Sequence, residues 1–349
     1  MSDNILYVLG AGFSAPLGIP VIKNFYNKSN TLYLSNNNKL PYFNEVKNIE
    51  TEVGKVSTFM NFDLRNIEEL LSIIEMKSYL TDTDSEKVLQ EYIKEVIDCY
   101  TPKPKEFNIK NLKTQLGNYY SNNPHFFTGH PVLSQYASFI LALFVVTIKI
   151  IDNNLEINSG FDDHPKYSII TLNYDMVFEN ILNYFNNQVF KQNIFALNRK
   201  LDDNNNNSKK KYCLSYAKIH GSLDSIIIPM TWNKTSNEEI KEQYKFAYQL
   251  ISDAKEIRFI GYSLPVADNH LKYLFINGIM KTQNLQKIDV ICLDDKEETV
   301  KKRYKKLFHF RELRFKNSKV EDYLNYLCSY NNNTITYNLL EDRHEKIMK

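Results

Sequence analysis

The sequence predicts an α/β protein with a Rossmann-like parallel sheet, helices on both faces of the sheet and an inserted helical module. Short apolar runs that suit buried strands recur along the chain, and most of them end on a polar or glycine-containing cluster followed by a helical pattern. This alternation is typical of parallel sheets that are covered by helices. A long passage of mainly helical periodicity separates the first run from the second, which predicts the insertion.

Composition places the chain among soluble globular proteins. It has 349 residues, 43% of them hydrophobic and 24% charged, and a formal net charge of +2. A charge so close to balance gives no electrostatic argument for nucleic acid as a partner. The cysteines lie far apart without a C-x-x-C pair, which argues against a zinc ribbon and predicts reduced thiols and no bound metal.

No membrane segment or secretory signal is expected, and the predicted location is the cytoplasm. Met1 leads almost directly into a predicted strand, without a basic region or a long apolar region before it. Residues 132–148 carry no charge, but they barely reach the ~17–25 residues that a bilayer span requires. A helix buried on nearly all sides is the favoured interpretation of this stretch.

The first predicted strand, residues 5–9, leads directly into Gly10, Ala11 and Gly12, and a helix can begin near residues 14–17. Strand, glycine turn and helix is the geometry that presents backbone N–H groups and the helix dipole to a phosphate. The spacing is not G-x-G-x-x-G, so the turn by itself fits a nucleotide loop and a structural corner equally well.

Residues 24–165 are predicted to be mostly helical, without a clear strand. Helical patterns cover residues 64–80 and 85–100, and Glu68 and Glu69 fall near the start of the first of these, where acids suit the helix dipole. We therefore predict a sheet domain formed by residues 1–23 and 166–349, with residues 24–165 as the inserted helical module.

Further strands are predicted at residues 167–172, 216–219, 257–260 and 288–293, with helices between them. Asp268 is the expected N-cap of a helix that runs through residue 279. Residues 202–211 are low-complexity and polar, which predicts a loop. Because the carboxyl ends of parallel strands share one edge of the sheet, the clusters that follow the five strands are expected to meet there.

Five motifs in this order resemble the sirtuin-like NAD+ hydrolase domains of bacterial anti-phage defence systems. They are GAGFSAPLGIP (10–20), TLNYD (171–175), KIHGS (218–222), FIGYSLPVADNHLKYLF (259–275) and CLDD (292–295). Each is weak by itself, whereas the ordered set is specific, and together they cover the sheet domain. The resemblance implies a sirtuin-type NAD-binding domain with NAD+ as its substrate, and a role in depleting cellular NAD+ during infection.

The resemblance also implies which residues would hold NAD+. Gly10, Ala11, Gly12 and Ser14 would line the pyrophosphate. Gly261 and Ser263 would line its far side, and Asp294 would bind the adenosine ribose, as an acid at the carboxyl end of a strand can.

Three polar residues are the catalytic candidates. Asn173 suits the positioning of the ribose or of a water, because its amide both donates and accepts hydrogen bonds. His220 suits the removal of a proton from that water, and Asp175 could orient either group or bind a ribose hydroxyl. Structural alternatives stay open: turn and N-cap roles for Asn173 and Asp175, and a buried, satisfied histidine at position 220. Trp232 fits an aromatic wall and core packing equally well.

Two other functions remain possible on this sequence, an NAD-dependent protein deacylase and a non-catalytic sensor of NAD+ or an ADP-ribose derivative. Protein-deacylating sirtuins carry Asp-Phe-Arg where this chain has Val21, Ile22 and Lys23, and they typically carry a four-cysteine zinc module that the spacing here does not fit. Both departures disfavour deacylation and leave NAD+ cleavage unaffected.

The expected partners, apart from NAD+, rest on the resemblance. It implies a homo-oligomer or a separate defence partner, such as a translocase ATPase or an Argonaute-like protein. Direct nucleic-acid binding is not expected: KKRYKK (301–306) is the best candidate, but acids before it and bases at its end simply complement a helix dipole.

Overall fold

A single large parallel sheet organises the chain. The computed structural model describes residues 3–36, 39–56, 59–81, 83–104, 131–151, 154–158, 164–200, 212–227, 238–266, 268–282, 284–328 and 337–349. The strands are β1 (Asn4–Leu9), β2 (Thr147–Ile151), β3 (Asn154–Asn158), β4 (Lys166–Thr171), β5 (Phe195–Asn198), β6 (Tyr212–Lys218), β7 (Glu256–Ile260), β8 (Lys287–Cys292) and β9 (Leu313–Asn317). The helices are α1 (Ala11–Ser14), α2 (Phe25–Ser35), α3 (Phe43–Gly54), α4 (Ile67–Thr81), α5 (Ser85–Tyr100), α6 (Pro131–Leu143), α7 (Val177–Tyr184), α8 (Glu238–Asp253), α9 (Asn269–Thr282), α10 (Thr299–Leu307), α11 (Val320–Cys328) and α12 (Tyr337–Met348).

The seven strands of the large sheet have the order β5-β6-β4-β1-β7-β8-β9, and every pairing in it is parallel. The predicted Rossmann-like architecture is thus confirmed, with β1 at the centre. The five expected strands are present, and β5 and β9 are additional strands at the two edges. The β9 strand, LRFKN, is only partly buried, so it lacks the apolar run by which a central strand is recognised.

Helices cover both faces of the sheet. Successive side chains of β1 point to opposite faces, so the strand contributes to a core on each face. Ile5 and Tyr7 pack into a core shared with α6, α11 and α12. Leu6 and Val8 pack into a second core with α8, α9 and α10. Both faces are therefore dry, which explains why the central strands read as continuous apolar runs.

The apolar stretch at residues 132–148 forms α6 and then the start of β2. The helix is buried as expected: Phe139 packs edge-on against Tyr7 of the central strand, with ring centroids 5.4 Å apart. In the part of the chain that the structure describes, no helix is long and apolar enough to cross a membrane.

The expectation that residues 24–165 contain no strand is wrong, because β2 and β3 form an antiparallel hairpin. Residues 147–151 include Thr147, Ile148 and Ile150, and such β-branched side chains favour strands over helices. The boundaries of the inserted module stay a prediction. The predicted loop at residues 202–211 lies outside the described residues. Trp232, the candidate for an aromatic wall or for core packing, also lies outside them.

Helices α2 to α5, which precede β4 in the sequence, pack on one another. The α4 helix begins three residues later than its apolar pattern suggests. The reason is a local cap: Asn66 Oδ1 accepts hydrogen bonds from the backbone N–H groups of Glu68 (3.1 Å) and Glu69 (3.3 Å). The α9 helix is capped as predicted, since Leu271 N donates to Asp268 Oδ1 at 3.3 Å.

Candidate functional site

Two glycine-containing turns meet at the carboxyl end of the central strands. Gly10 N donates to Ile260 O at 3.0 Å, and Gly12 N donates to Gly261 O at 2.9 Å. Gly261 has φ of +66°, and a Cβ there would lie 2.3 Å from the backbone nitrogen of Phe13. The turn after β1 and the turn after β7 therefore interlock through backbone atoms. Close packing between the two turns, and not only access for a ligand, requires these glycines.

A cavity of about 640 Å³ opens at this carboxyl edge of the sheet. Its lining comes from the turn after β1, from the segments after β4, β7, β8 and β9, and from helices α2, α4 and α5. Open α/β sheets bind their ligands in crevices at this edge. The expected site residues that line the cavity are Ala11, Gly12, Ser14, Asn173, Asp175, Gly261 and Ser263.

Asn173 is held by two hydrogen bonds that cross from β4 to the turn after β1. Its Nδ2 donates to Gly10 O at 3.0 Å and to Ser14 Oγ at 2.9 Å. Its Oδ1 is buried and has no hydrogen-bond partner among the described residues. The Asn173 amide therefore has a defined orientation beside the cavity and one acceptor that the described residues leave unused.

Asp175 continues the same network. Its carboxylate hydrogen-bonds with the Ser14 hydroxyl and accepts from Val177 N at 3.2 Å. Burial raises the pKa of the Asp175 carboxyl above its ordinary value, although the Lys218 charge and these hydrogen bonds act in the opposite direction. Lys218 also donates to the Asp175 carbonyl oxygen, so it secures the backbone of this segment.

His220 lies apart from the cavity in the structure. It follows β6, is fully buried and is absent from the described residues that line the cavity. Its Nε2 is 3.9 Å from Asp268 Oδ2, and the same oxygen accepts a hydrogen bond of 2.8 Å from the Tyr262 hydroxyl. A catalytic role for His220 stays a prediction, and the structure places its side chain beside Asp268.

Asp294 has a different set of neighbours from the one expected of a ribose ligand. Its Oδ1 accepts from Val300 N at 2.8 Å and its Oδ2 accepts from Lys301 N at 2.9 Å. Asp294 and Gly10 are absent from the described residues that line the cavity. The carboxylate of Asp294 thus stabilises the first turn of α10. Stabilisation of a helix start is the structural role that the sequence analysis gives to the acids before KKRYKK.

We accordingly expect Asp294→Ala to lower the free energy of unfolding by about 0.5–2 kcal/mol, the ordinary cost of losing a helix cap. Denaturant titration measures this, and calorimetry with NAD+ should find an unchanged dissociation constant. Asp342→Ala is the control, because its exposed pair with Lys346 contributes little. Weaker NAD+ binding with unchanged stability would restore the ribose role.

The fold brings to the cavity several residues that no sequence pattern indicated. Apolar side chains from α2, α4 and α5 form a wall, and Lys23, Glu68 and Tyr174 also line the cavity. Cys292 lies there too, and burial raises the pKa of its thiol to about 12, so it is protonated at neutral pH. Glu68 fell in a helical pattern that already explained an acid, so no local signal marked it.

One group among the described residues could hold a metal ion: Glu256, Asp289, His344 and Glu345. It lies near the amino ends of β7 and β8, opposite the cavity. Arg314 donates to Asp289 at 2.7 Å and to Glu345 at 2.8 Å, and Lys287 Nζ lies 2.7 Å from Glu256. Side-chain cations already neutralise these carboxylates, so the group is an ion-pair network between the sheet and α12.

The fold and the cavity define an α/β protein with a ligand-sized crevice at the carboxyl edge of a parallel sheet. Residues 167–316 match the family model described as SIR2-like domain. This stretch runs from β4 to β9 and contains the expected site residues from Asn173 to Asp294. Residues 167–316 are therefore similar to a SIR2-like domain, and the predicted sirtuin-like character is supported over this stretch.

Comparison with curated proteins found no match. Among solved structures, one similar chain is Sir2 with an inhibitor, 2'-O-acetyl-ADP-ribose and a deacetylated p53 peptide, at 12% identity and a TM-score of 0.36, covering 93% of this chain and 92% of that one. Sir2Tm bound to a propionylated peptide has 11% identity and a TM-score of 0.32, covering 93% and 91%. A structure on sirtuin substrate affinity has 13% identity and a TM-score of 0.31, with the same coverage.

Proposed function

We propose that this protein is an NAD+ hydrolase that cleaves NAD+ to nicotinamide and ADP-ribose. The observation that carries the proposal is the Asn173–Ser14–Asp175 network, which lines a 640 Å³ cavity beside a glycine turn and belongs in part to the SIR2-like stretch. A cavity of this size is in the range of ligand and cofactor sites.

The dinucleotide would lie along the carboxyl edge of the sheet. Ala11, Gly12 and Ser14 would face the pyrophosphate from one side, and Gly261 and Ser263 from the other, as the motif resemblance implies. Lys23 also lines the cavity and supplies a positive charge within reach of an anionic ligand. Asp294 is not part of this proposed contact set, because its carboxylate caps α10.

The chemistry needs little covalent help from the protein. Breaking the bond between nicotinamide and ribose sends the electron pair to nicotinamide, which leaves as a neutral base, and the ribose carbon becomes oxocarbenium-like. Asn173, oriented by Gly10 and Ser14, would hold the ribose or the attacking water in position. His220 would have to leave its buried place beside Asp268 to take a proton from that water.

The two other functions, an NAD-dependent protein deacylase and a non-catalytic sensor, predict different outcomes with NAD+. Val21, Ile22 and Lys23, which replace the Asp-Phe-Arg of deacylating sirtuins, all line the cavity, so the departure from the deacylase pattern falls inside the site itself. This placement favours hydrolysis over deacylation. The defence role, the homo-oligomer and the separate translocase or Argonaute-like partner are part of the proposal through the motif resemblance alone.

Mass spectrometry of NAD+ incubated with the purified protein tests the proposal. We expect nicotinamide and ADP-ribose in equal amounts, with or without an acyl-lysine peptide. Nicotinamide released only when that peptide is present would instead identify a deacylase. Tight binding without turnover, even with the proteins encoded beside its gene, would identify a sensor.

A further inference from the structure

Helices α2, α4 and α5, which precede β4 in the sequence, complete the lining of the cavity. Phe25 of α2, Ile67 of α4 and Ile93 of α5 form an apolar wall opposite the turn after β1. Glu68 is next to Ile67 and is the carboxylate that this wall presents to the cavity. An acid placed between apolar side chains and a ligand-sized space is a candidate for chemistry, because a dry surrounding strengthens its electrostatic effect.

The position of Glu68 is defined by its helix and by two buried phenols. Its backbone N–H is capped by Asn66, so it sits in the first turn of α4. Burial raises the pKa of Tyr174 well above its ordinary value, and the negative charge of Glu68 adds to the effect. The charge of Glu68 also acts on Tyr262, after burial and Asp268. Tyr174 and Tyr262 line the same cavity as Glu68, so Glu68 shares this space with the segments that follow β4 and β7.

Two other carboxylates line the cavity, and each has a property that disfavours it as a base. Asp175 hydrogen-bonds with Ser14 and accepts from Val177 N, so its oxygens already serve the network that orients Asn173. Glu321 is exposed in the first turn of α11, at the solvent side of the cavity. Glu68 is half-buried and lines the same space as Asn173. It is therefore the half-buried carboxylate of the described cavity lining that lies outside the network holding Asn173.

We propose that Glu68 is the catalytic base of this site, which rests on the proposed NAD+ hydrolysis. The bond from the ribose carbon to nicotinamide breaks and its electron pair leaves with neutral nicotinamide. The oxygen of water forms the new bond to that carbon. One proton of the water passes to the Glu68 carboxylate and then to solvent, so that NAD+ and water give nicotinamide, ADP-ribose and a proton. Helix α4 thus supplies chemistry to a site whose Asn173 and Asp175 follow a strand of the sheet.

The test compares Glu68→Gln with Glu69→Gln in the full-length protein. Glutamine keeps the size of the side chain and removes the charge, and Glu69 lies in the same helical turn without lining the cavity. We expect Glu68→Gln to lower kcat by roughly 10²–10⁴-fold, the usual contribution of general acid–base catalysis, with the NAD+ dissociation constant within about threefold of wild type. Glu69→Gln should keep both values.

Formate rescue separates a catalytic role from a structural one. Added formate should restore part of the turnover of Glu68→Ala, because a small carboxylate can occupy the space and accept the proton, and should not change wild type. Wild-type rates in Glu68→Gln, or a slow Glu68→Ala that formate does not rescue, would overturn the role of Glu68 and leave the hydrolase intact. Absence of turnover in the wild type would overturn both proposals together.

Discussion

Asn173→Ala is expected to lower NAD+ hydrolysis by roughly 10²–10³-fold while most of the NAD+ affinity remains. The amide is held by Gly10 O and Ser14 Oγ, so it points in a fixed direction beside the reacting end of the ligand. In the proposed binding mode, Ala11, Gly12, Gly261 and Ser263 would contact the pyrophosphate and hold the ground state without Asn173. Losing a group that acts only on the reacting centre lowers kcat and leaves binding largely unchanged.

Steady-state release of nicotinamide and calorimetric titration with NAD+ measure the two parts of this prediction. Asn180→Ala is the matched control, since Asn180 also donates through Nδ2 to a backbone carbonyl, that of Pro102, but does not line the cavity. Near-wild-type hydrolysis by Asn173→Ala would remove Asn173 from the mechanism. An equal fall in affinity and rate would show that it binds the substrate without acting on the transition state.

Arg258→Ala is expected to destabilise the fold by about 3–5 kcal/mol, the usual cost of leaving buried charges without a partner. The guanidinium is fully buried in β7 and donates to Tyr7 at 2.7 Å, to both carboxylate oxygens of Glu341, and to Glu256. Its removal would leave the Glu341 carboxylate without its guanidinium partner and weaken the attachment of α12 to the central strand, whereas Glu256 would keep its pair with Lys287.

Denaturant unfolding followed by circular dichroism measures the loss. Arg311→Ala is the control, because Arg311 is 97% exposed and its pair with Glu312 spans 3.8 Å, so it should change stability by less than about 1 kcal/mol. Equal stability of the two variants would show that the network around Arg258 adds nothing to folding. A normal melting transition combined with loss of NAD+ binding in Arg258→Ala would instead place its role at the cavity.

The sequence by itself determined the sheet and the order of its motifs. Apolar runs and the polar clusters after them are local signals, and a parallel sheet necessarily collects such clusters at one edge, so Asn173, Ser14 and Gly261 could be predicted to share a site. The edge strand β9 escaped prediction because its partly buried residues form no continuous apolar run.

Only the tertiary structure decided which of the collected residues reach the cavity. His220 and Asn173 both follow strands, yet one is buried against Asp268 and the other lines the cavity. Asp294 ends a strand as a ribose ligand would, but the first turn of α10 supplies backbone N–H groups that its carboxylate accepts. Glu68 is about 100 residues from Asn173 in the sequence, and only the packing of α4 over the edge of the sheet brings them to the same cavity. Contacts between such distant segments depend on how whole elements pack, and no local pattern of residues encodes that packing.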